Sequence, residues 1–290
     1  MNVFLFCGDK GGVGKSTQSN VWAQYLCKYV ELNLQKKPKG AFIDLDPQSN
    51  SSKYNLPNFM TRDNAHEKGF KPIPLEDFQY ASSIADIFHG TEEIYPYPSE
   101  LVSNLDVFPA YASQLEKAKM QTRTDIQKNI IQRFRDFINI LKQYQEYDFV
   151  VIDTSPSKGP LMLAPLAAAT HVFFPIIMEP WGIDGFWGMH QLYKQEAYTR
   201  SSDRPLKLAG ILPNLVRKVS LHQSYLKELQ ELPATGSFIL PPVGQRVAFG
   251  EIAATGAKPK SIFDLKDSEL AKQESLRWCA EAYRRIFKDA

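Results

Sequence analysis

The most constraining feature of this 290-residue sequence is a series of short segments that are apolar throughout. The segment YDFVVIDTSP (147–156) is the most hydrophobic of them, and it contains a carboxylate near its end. A strand that is apolar on both sides must be covered on both sides, which is typical of a parallel sheet between two layers of helices. Six further segments are interpreted as strands: NVFLFC (2–7), GAFIDLD (40–46), NLDVFPA (104–110), THVFFPII (170–177), KLAGILPN (207–214) and SFILPP (237–242).

Segments with helical periodicity lie between most of these strands. One amphipathic helix opens near Gly14, and a long one carries apolar residues on one face from Ile126 to Tyr144. The predicted fold class is therefore α/β, with a doubly wound, mainly parallel seven-stranded sheet and helices on both faces. We expect a single domain over residues 1–290. Residues 51–100 are rich in Asn, Pro, Lys and Tyr, with only SSIADIFHG (82–90) helical, which favours an insertion or a surface loop there.

The composition excludes several classes of protein. No apolar run approaches the ~20 residues that span a bilayer. The three cysteines are far apart, which disfavours an iron–sulfur or zinc site and fits a reducing compartment. The first residues lack the pattern of a cleavable leader, so we expect a cytoplasmic protein.

The segment KGGVGKST (10–17) lies between a predicted strand and a predicted helix, the setting that a phosphate-binding loop requires. Its glycines allow main-chain N–H groups to converge on phosphates, and the helix N-terminus adds a positive dipole end. We expect Lys15 to reach the β- and γ-phosphates and the Ser16 hydroxyl to take a Mg²⁺ position. The common pattern GxxxxGK[ST] would place glycine at position 9, where this chain has Asp9. The loop is instead the variant KGGxGK[ST], with a second lysine, Lys10.

Three aspartates are candidates for the chemistry around a bound phosphate. Asp153 ends a buried strand at the carboxyl edge of the sheet, where ligands bind in such folds, so it is expected to hold Mg²⁺ through water; a helix cap is the alternative. Asp44 and Asp46 alternate at another strand end, and Asp46 precedes Pro47, where a turn-forming role is the alternative.

Taken together, these segments resemble the ParA/MinD family of deviant-Walker ATPases, and most of all its ParA branch. The similarity covers nearly the whole chain and follows one order. The matching segments are KGGVGKST (10–17), FIDLDPQSN (42–50), NLDVFPAYASQLEKA (104–118), YDFVVIDTSPS (147–157), EPWGIDGFWGM (179–189) and LPPVGQRVAFGEIAATGAKP (240–259).

The resemblance implies a role for each matching residue. ATP would be held by the loop residues Gly11, Gly12, Val13, Gly14, Lys15, Ser16 and Thr17, and its adenine by Asn214 and by Pro241 with Pro242. Asn214 after Pro213 is also a common turn signal. Asp44 would join Ser16 and Asp153 around Mg²⁺, and Asp46 would orient the attacking water. Lys10 would neutralise phosphate charge in the partner's site of an ATP-sandwich homodimer, although relatives usually carry Asn and Gln near Gly8 and Asp9.

ParA-branch proteins bind DNA without sequence preference, and the charge distribution of this chain agrees with that. Residues 204–290 carry a net charge of +5, which leaves −3 for the remainder because the whole chain is +2. Such asymmetry favours contact with phosphates in the C-terminal part. The DNA-binding candidates are Arg217, Lys218, Arg246, Lys258 and Lys260, each of which could also be an ordinary solvated charge.

The implied function is a nucleoid-associated, Mg²⁺-dependent ATPase that segregates a plasmid or positions another cargo. A ParB-like adaptor would stimulate its slow ATP hydrolysis. Two alternatives remain at this point. A basic amphipathic C-terminal segment, with Leu276, Cys279, Ala280, Tyr283, Ile286 and Phe287 on one face, could lie on a membrane as in the MinD branch, although we expect it to pack on the sheet. The second alternative is a metabolic ATP-dependent enzyme of the same fold, since one fold can serve several functions.

Overall fold

The computed structural model describes residues 1–30, 38–90, 93–144, 146–253 and 260–287. Within these ranges the chain forms nine strands. They are β1 (Asn2–Phe6), β2 (Gly40–Leu45), β3 (Met60–Arg62), β4 (Phe70–Pro72), β5 (Tyr97–Pro98), β6 (Leu105–Phe108), β7 (Phe149–Thr154), β8 (His171–Ile177) and β9 (Lys207–Asn214). Seven of them form the central sheet, in the order β5-β6-β2-β7-β1-β8-β9. Every neighbouring pair is parallel except β5 with β6.

Ten α-helices within the described ranges surround this sheet. They are α1 (Lys15–Tyr25), α2 (Asn50–Asn55), α3 (Asp86–His89), α4 (Ala112–Lys119), α5 (Thr124–Tyr144), α6 (Pro160–Ala168), α7 (Pro180–Thr199), α8 (Ser220–Glu231), α9 (Val247–Glu251) and α10 (Leu270–Phe287). Helix α1 continues as a π-helical turn over Leu26–Val30. The helix that the sequence places near Gly14 begins at Lys15, and the long helix ends at Tyr144, as predicted.

Alternate residues of the central strands enter two separate cores, one on each face of the sheet. Val3 and Leu5 of β1 pack with helices α4 to α7, whereas Phe4 and Phe6 pack with α1 and α10. The second core is an aromatic layer in which the rings of Trp22 and Trp278 stack with centroids 5.8 Å apart. Both cores are filled because the strands are apolar on both sides, which confirms the predicted doubly wound α/β class.

The predicted strand SFILPP (237–242) is wrong. Gly236–Phe238 forms a 3-10 turn, and Ile239 makes only an isolated bridge to Ile211 of β9. The two prolines at 241 and 242 explain this, because they have no N–H with which to continue a ladder. The seventh strand of the sheet is instead β5, a two-residue antiparallel edge.

The segment 51–100 contains more regular structure than its sequence indicates. It includes most of α2, the β3–β4 hairpin, α3 and β5, while the predicted helical stretch 82–90 forms a helix only over Asp86–His89. The two ends of the segment meet, because Glu100 N donates to Asn55 O at 2.9 Å and Ser99 Oγ donates to the Asn55 side chain at 3.3 Å. That this segment is an insertion remains a prediction.

Helix α10 packs against the aromatic core. Trp278, Cys279 and Ala282 are fully buried, whereas Ala280, which the sequence placed on the apolar face, is exposed. The buried face of α10 is therefore rotated around the helix axis from the predicted face. This buried face packs against the protein's own aromatic core. None of the helices in the described ranges has the length and apolar character needed to cross a membrane.

Candidate nucleotide and metal site

The glycine loop joins the carboxyl end of β1 to helix α1, between β7 and β8 of the sheet. Gly12 and Gly14 have φ angles of 75° and 90°, which side-chain-bearing residues rarely adopt, so both positions require glycine. Lys15 is only 5% exposed, and its Nζ donates to Lys10 O at 2.8 Å. The loop therefore has the glycine-dependent form of a phosphate-binding loop, and one of its two lysines is buried.

Asn214, at the end of β9, supports the glycine loop through side-chain hydrogen bonds. Its Nδ2 donates to Val13 O at 2.8 Å, and its Oδ1 accepts from Gln18 Nε2 at 3.2 Å. A methyl group on Gly14 would lie 2.0 Å from Asn214 Nδ2, so this glycine is needed for close approach as well as for its φ angle. Sequence reasoning assigned Asn214 to adenine; the structure shows its amide buried and engaged by the loop.

The carboxylates of Asp44 and Asp153 lie side by side, because their strands β2 and β7 pair in register at these residues. Both are fully buried, and Asp46 is 8% exposed. Burial and the neighbouring charge of Asp153 raise the pKa of Asp44 to about 8. Burial and the charge of Asp46 raise the pKa of Asp153 to about 6. Such repulsion between buried acids favours a nearby cation.

Hydroxyl groups from the start of α2 orient these acids, and sequence reasoning missed them. Ser51 Oγ donates to Asp153 Oδ2 at 2.7 Å, while Ser52 donates to Asp44 Oδ2 through its N at 2.8 Å and its Oγ at 2.7 Å. Asn20 Nδ2 in turn donates to Ser51 Oγ at 2.8 Å. The signal for these residues was the polar run QSNSS directly after the predicted acids, together with polar residues on the inner face of α1.

The donor set fits Mg²⁺ coordinated jointly with phosphate and water. Asp153 Oδ1 is buried without a hydrogen-bond partner, whereas Asp153 Oδ2 accepts from Ser51. Asp44, by contrast, has both oxygens engaged, since Oδ1 accepts from Asp46 N at 3.0 Å. Among the described residues no group of three or more His, Cys, Asp or Glu forms a metal site of protein ligands alone. Mg²⁺ commonly keeps waters and uses few carboxylates beside substrate phosphates, so Ser16 and Asp153 suit it.

The second lysine of the loop has a different environment from Lys15. Lys10 is exposed, and within the described ranges it forms no ion pair. Its neighbour Asp9 faces another element, because Asp9 Oδ2 lies 3.6 Å from Lys158 Nζ. A methyl group on Gly185 of α7 would lie 2.4 Å from Asp9 Oδ1. The acid beside Lys10 thus lies against Lys158 and α7, and the exposed Lys10 side chain also passes α7, since its Cγ would lie 3.0 Å from a Cβ on Gly185.

Comparison with known proteins agrees with this geometry. A family model described as an AAA domain, AAA_31, matches residues 1–202, more than half of the chain. A chromosome partitioning protein ParA from Caulobacter vibrioides is 24% identical, over 92% of this chain and 88% of its own length. The chain belongs to the ParA/MinD family of P-loop ATPases.

Solved structures share the fold of this ParA/MinD family member. A putative plasmid partition protein from Borrelia burgdorferi, bound to AMPPNP, superposes with a TM-score of 0.69 at 17% identity and covers 98% of each chain. A cobyrinic acid a,c-diamide synthase from Mycobacterium smegmatis, with an ATP analogue and magnesium, gives a TM-score of 0.66 at 18% identity, covering 100% of this chain and 97% of its own. At such identities the likeness shows the fold alone.

Further predicted residues of this ParA/MinD protein lie beside the end of β9. The segment containing Pro241 and Pro242 runs along that strand, since Val243 N donates to Pro213 O at 2.9 Å. The segment therefore passes beside Pro213, the residue before Asn214. Contact of these residues with adenine remains a prediction.

Three of the five predicted DNA-binding residues surround one open cleft of about 480 Å³, formed by residues 216–218 and 245–247. Arg217 is paired with Glu179 at 2.9 Å and Arg246 with the buried Glu274 at 2.5 Å, whereas Lys218 is exposed. Lys260 is also exposed, and Lys258 lies outside the described residues. The structure thus groups Arg217, Lys218 and Arg246 and gives both arginines a carboxylate partner.

Proposed function

We propose that this chain is an ATP-driven positioning ATPase. ATP binding assembles a homodimer that binds DNA without sequence preference, and a ParB-like adaptor stimulates hydrolysis to release it. One observation carries the proposal: a single loop holds two lysines with opposite environments. Lys15 is buried in its own site, whereas Lys10 is exposed. A loop lysine whose side chain is exposed is available to neutralise the phosphates bound by a second subunit.

Within one subunit, the residues divide the work on the phosphates. Lys15 neutralises charge on the β- and γ-phosphates, and the loop N–H groups hold the remaining oxygens. Ser16 and Asp153 would hold Mg²⁺, which supplies further neutralisation of phosphate charge. The burial of Lys15 lowers the pKa of its ammonium, and the charges of Asp153 and Asp46 counteract this shift. These acids therefore help to keep the lysine protonated for its task.

Asp46 is suited to orient the attacking water. It is 8% exposed, and its Oδ1 is fixed by a 2.9 Å hydrogen bond from Gln48 N. Phosphoryl transfer depends on positioning more than on strong base chemistry, so a fixed carboxylate at this edge is sufficient. Replacing Asp46 should block hydrolysis and leave ATP binding in place, which makes Asp46→Ala a means of prolonging the dimer.

Release from the nucleoid would follow hydrolysis, because the DNA surface is assembled only in the dimer. Lys218 and Lys260, both exposed, supply cations, and such contacts are strengthened when two subunits present them together. Segregation of a plasmid, or spacing of another cargo, would result from repeated cycles of this binding and release.

The decisive experiment measures DNA binding in three states. Sedimentation with a random duplex is carried out without nucleotide, with Mg²⁺ and ATP, and with Asp46→Ala plus ATP. We expect ATP-dependent binding that persists in Asp46→Ala, and none in Lys15→Ala, which serves as the control. Equal binding with and without nucleotide would rule out the switch.

A further inference from the structure

A second cleft lies at the end of the sheet opposite the phosphate loop. It has a volume of about 920 Å³ and is lined by the first residues of β1, β8 and β9 and by parts of α5, α6 and α7. The nucleotide site is at the carboxyl ends of these strands, roughly 20 Å away along strands that rise ~3.3 Å per residue. None of the residues assigned above to ATP, Mg²⁺ or DNA lines this cleft.

Positive side chains dominate its walls, and we call it the basic cleft. It contains five cationic residues and two acidic ones, a net charge of +3. The cations are Arg135, Lys142, Arg200, Arg204 and Lys207, and the acids are Glu196 and Asp203. Part of the positive charge of the C-terminal segment, Arg204 and Lys207, is thus located here and not at the DNA-binding candidates.

One of these cations is used by the fold itself. Arg200 donates from Nε to Glu196 Oε1 at 2.9 Å, and its terminal nitrogens donate to Leu166 O at 2.5 Å and Ala169 O at 2.7 Å. These contacts satisfy carbonyls at the end of α6. Arg200 and Glu196 therefore form a structural pair, and Glu196 is not free to neutralise the other cations.

The other cations lack a comparable partner. Arg204 has only a 3.9 Å contact with Asp203, which is 75% exposed. Within the described part of the chain, Arg135, Lys142 and Lys207 form no ion pair. Burial lowers the pKa of Lys142, and the charges of Arg200 and Arg204 lower it further. Gathering like charges around one cleft is unfavourable, most of all for the partly buried Lys142, and an anion would relieve it.

The shape and chemistry of the cleft limit what that anion can be. A volume of this order is typical of a small-molecule pocket, and a convex DNA duplex would not enter it. The floor is aliphatic, formed by Ile131, Ile138 and Leu163, and no Phe, Tyr or Trp is among the described residues that line it. Unpaired bases bind proteins largely by stacking on aromatic rings, so single-stranded nucleic acid does not fit. A phosphate monoester carries a charge of about −2, so a net +3 calls for more than one phosphate.

We propose that the basic cleft binds a compact organic anion with at least two phosphate groups. Arginine forks and lysine ammonium groups would hold the phosphates, and the aliphatic floor would accept the carbon skeleton. This site goes beyond the proposed function, because neither ATP hydrolysis nor DNA binding requires it.

Fructose 1,6-bisphosphate is a suitable probe, titrated calorimetrically into the protein with its nucleotide site filled by Mg²⁺ and AMPPNP. The test variant is Lys142→Gln with Lys207→Gln, which removes two charges from the cleft. The control is Lys227→Gln with Lys266→Gln, two exposed lysines outside it. We expect saturable 1:1 binding, weakened at least about tenfold in the test variant and unchanged in the control. Lys142→Arg, which retains the charge, should bind like the original protein.

Several results would overturn the proposal. Equal weakening in the test and control variants would show that only overall charge matters. Equally tight binding of fructose 6-phosphate would show that two phosphates are not recognised. Loss of all binding when AMPPNP is present would place the probe in the phosphate loop. Tighter binding of a ten-residue polyglutamate peptide would identify the occupant as an acidic protein segment. These outcomes do not depend on whether the protein binds DNA.

Discussion

The side-chain amide of Asn214 donates a 2.8 Å hydrogen bond to the main-chain oxygen of Val13, 201 positions earlier in the chain. The end of β9 therefore supports the phosphate loop directly, and the loop's shape depends on a residue far away in sequence. This relationship gives Asn214 a task that is independent of which base the nucleotide carries.

Asn214→Asp should weaken nucleotide binding in general. It removes the donor to Val13 O and places a carboxylate against a carbonyl oxygen, which costs about 1–3 kcal/mol, or roughly a 5- to 150-fold loss of affinity. Fluorescent ATP and GTP analogues should lose affinity by the same factor. Gln18→Ala, which removes only the weaker 3.2 Å contact, is the matched control and should have a smaller effect. A loss confined to ATP would instead favour the predicted adenine contact.

Lys10→Ala and Lys15→Ala should have separable effects. Lys15 is buried at the phosphate position, so its loss should reduce nucleotide affinity at least about tenfold. Lys10 is exposed, so its loss should leave affinity nearly unchanged and abolish dimerisation with AMPPNP. Nucleotide titration and light scattering measure the two properties. A Lys10→Ala protein that still dimerises would show that the cross-site role is wrong.

Gly185→Val should disturb the same dimerisation through packing. Its side chain would collide with Asp9 Oδ1, 2.4 Å from a Cβ at this position, and with Lys10 Cγ at 3.0 Å. Gly188→Ala is the control, since its methyl group would crowd only the flexible, half-exposed end of Lys158 and would lie in ordinary contact, at 3.9 Å, with Asp9 Oδ2. We expect Asp9→Gly to restore dimerisation of the Gly185→Val protein in part. No restoration would mean that Gly185 acts through other contacts.

Arg246→Ala and Lys218→Ala should separate stability from DNA binding. Glu274 is 6% exposed and accepts hydrogen bonds from Arg246, so removing the arginine leaves a buried carboxylate poorly compensated. We expect the free energy of unfolding to fall by about 1–3 kcal/mol. Lys218→Ala should leave it unchanged and reduce the salt dependence of DNA binding. Urea unfolding and DNA titration at several salt concentrations test this, and a destabilised Lys218→Ala would contradict it.

His171 should make the protein sensitive to acid. Burial and the charge of Lys207 lower the pKa of His171 to about 4, against about 6.5 in an unfolded chain. The folded state favours the neutral ring, so this contribution is fully present above pH 6.5 and is lost as the pH falls towards 4. The loss amounts to at most about 3 kcal/mol.

Urea unfolding at pH 7.5 and pH 4.5 measures that loss in the original protein and in His171→Gln. The difference in free energy between the two pH values should be smaller in His171→Gln by about 2–3 kcal/mol. His89→Gln, at an exposed histidine, is the control and should behave like the original protein. An unchanged pH dependence in His171→Gln would contradict the assignment.

Much of the fold could be predicted because the central strands are buried on both faces of the sheet. Such strands consist of continuous apolar runs, which are visible in the sequence. Six strands of the sheet are recognisable for this reason. The seventh was wrong because SFILPP has the composition of a strand while its prolines cannot pair, and β5 is only two residues long. A strand that short carries no periodicity, so nothing in the sequence marks it.

The phosphate loop could be predicted for a similar reason, since its glycines and lysines act within eight residues of one another. The roles of Asn214, Ser51 and Ser52 could not, because they depend on contacts between distant segments. Local patterns do not record such contacts. The three acids were identified as a group, but only the structure shows which oxygens are already engaged and that Asp153 Oδ1 is not.

The closure of residues 51–100 on itself has a practical consequence. Ser51 and Ser52 fix one end of the segment to the site acids, β5 fixes the other in the sheet, and Glu100 meets Asn55 at the neck. The protein should tolerate additional polypeptide inserted far from that neck, because the insertion would not displace Asp44 and Asp153. The loop around Tyr80, a residue 73% exposed, is therefore a natural place to insert a fluorescent domain for following the protein in live cells.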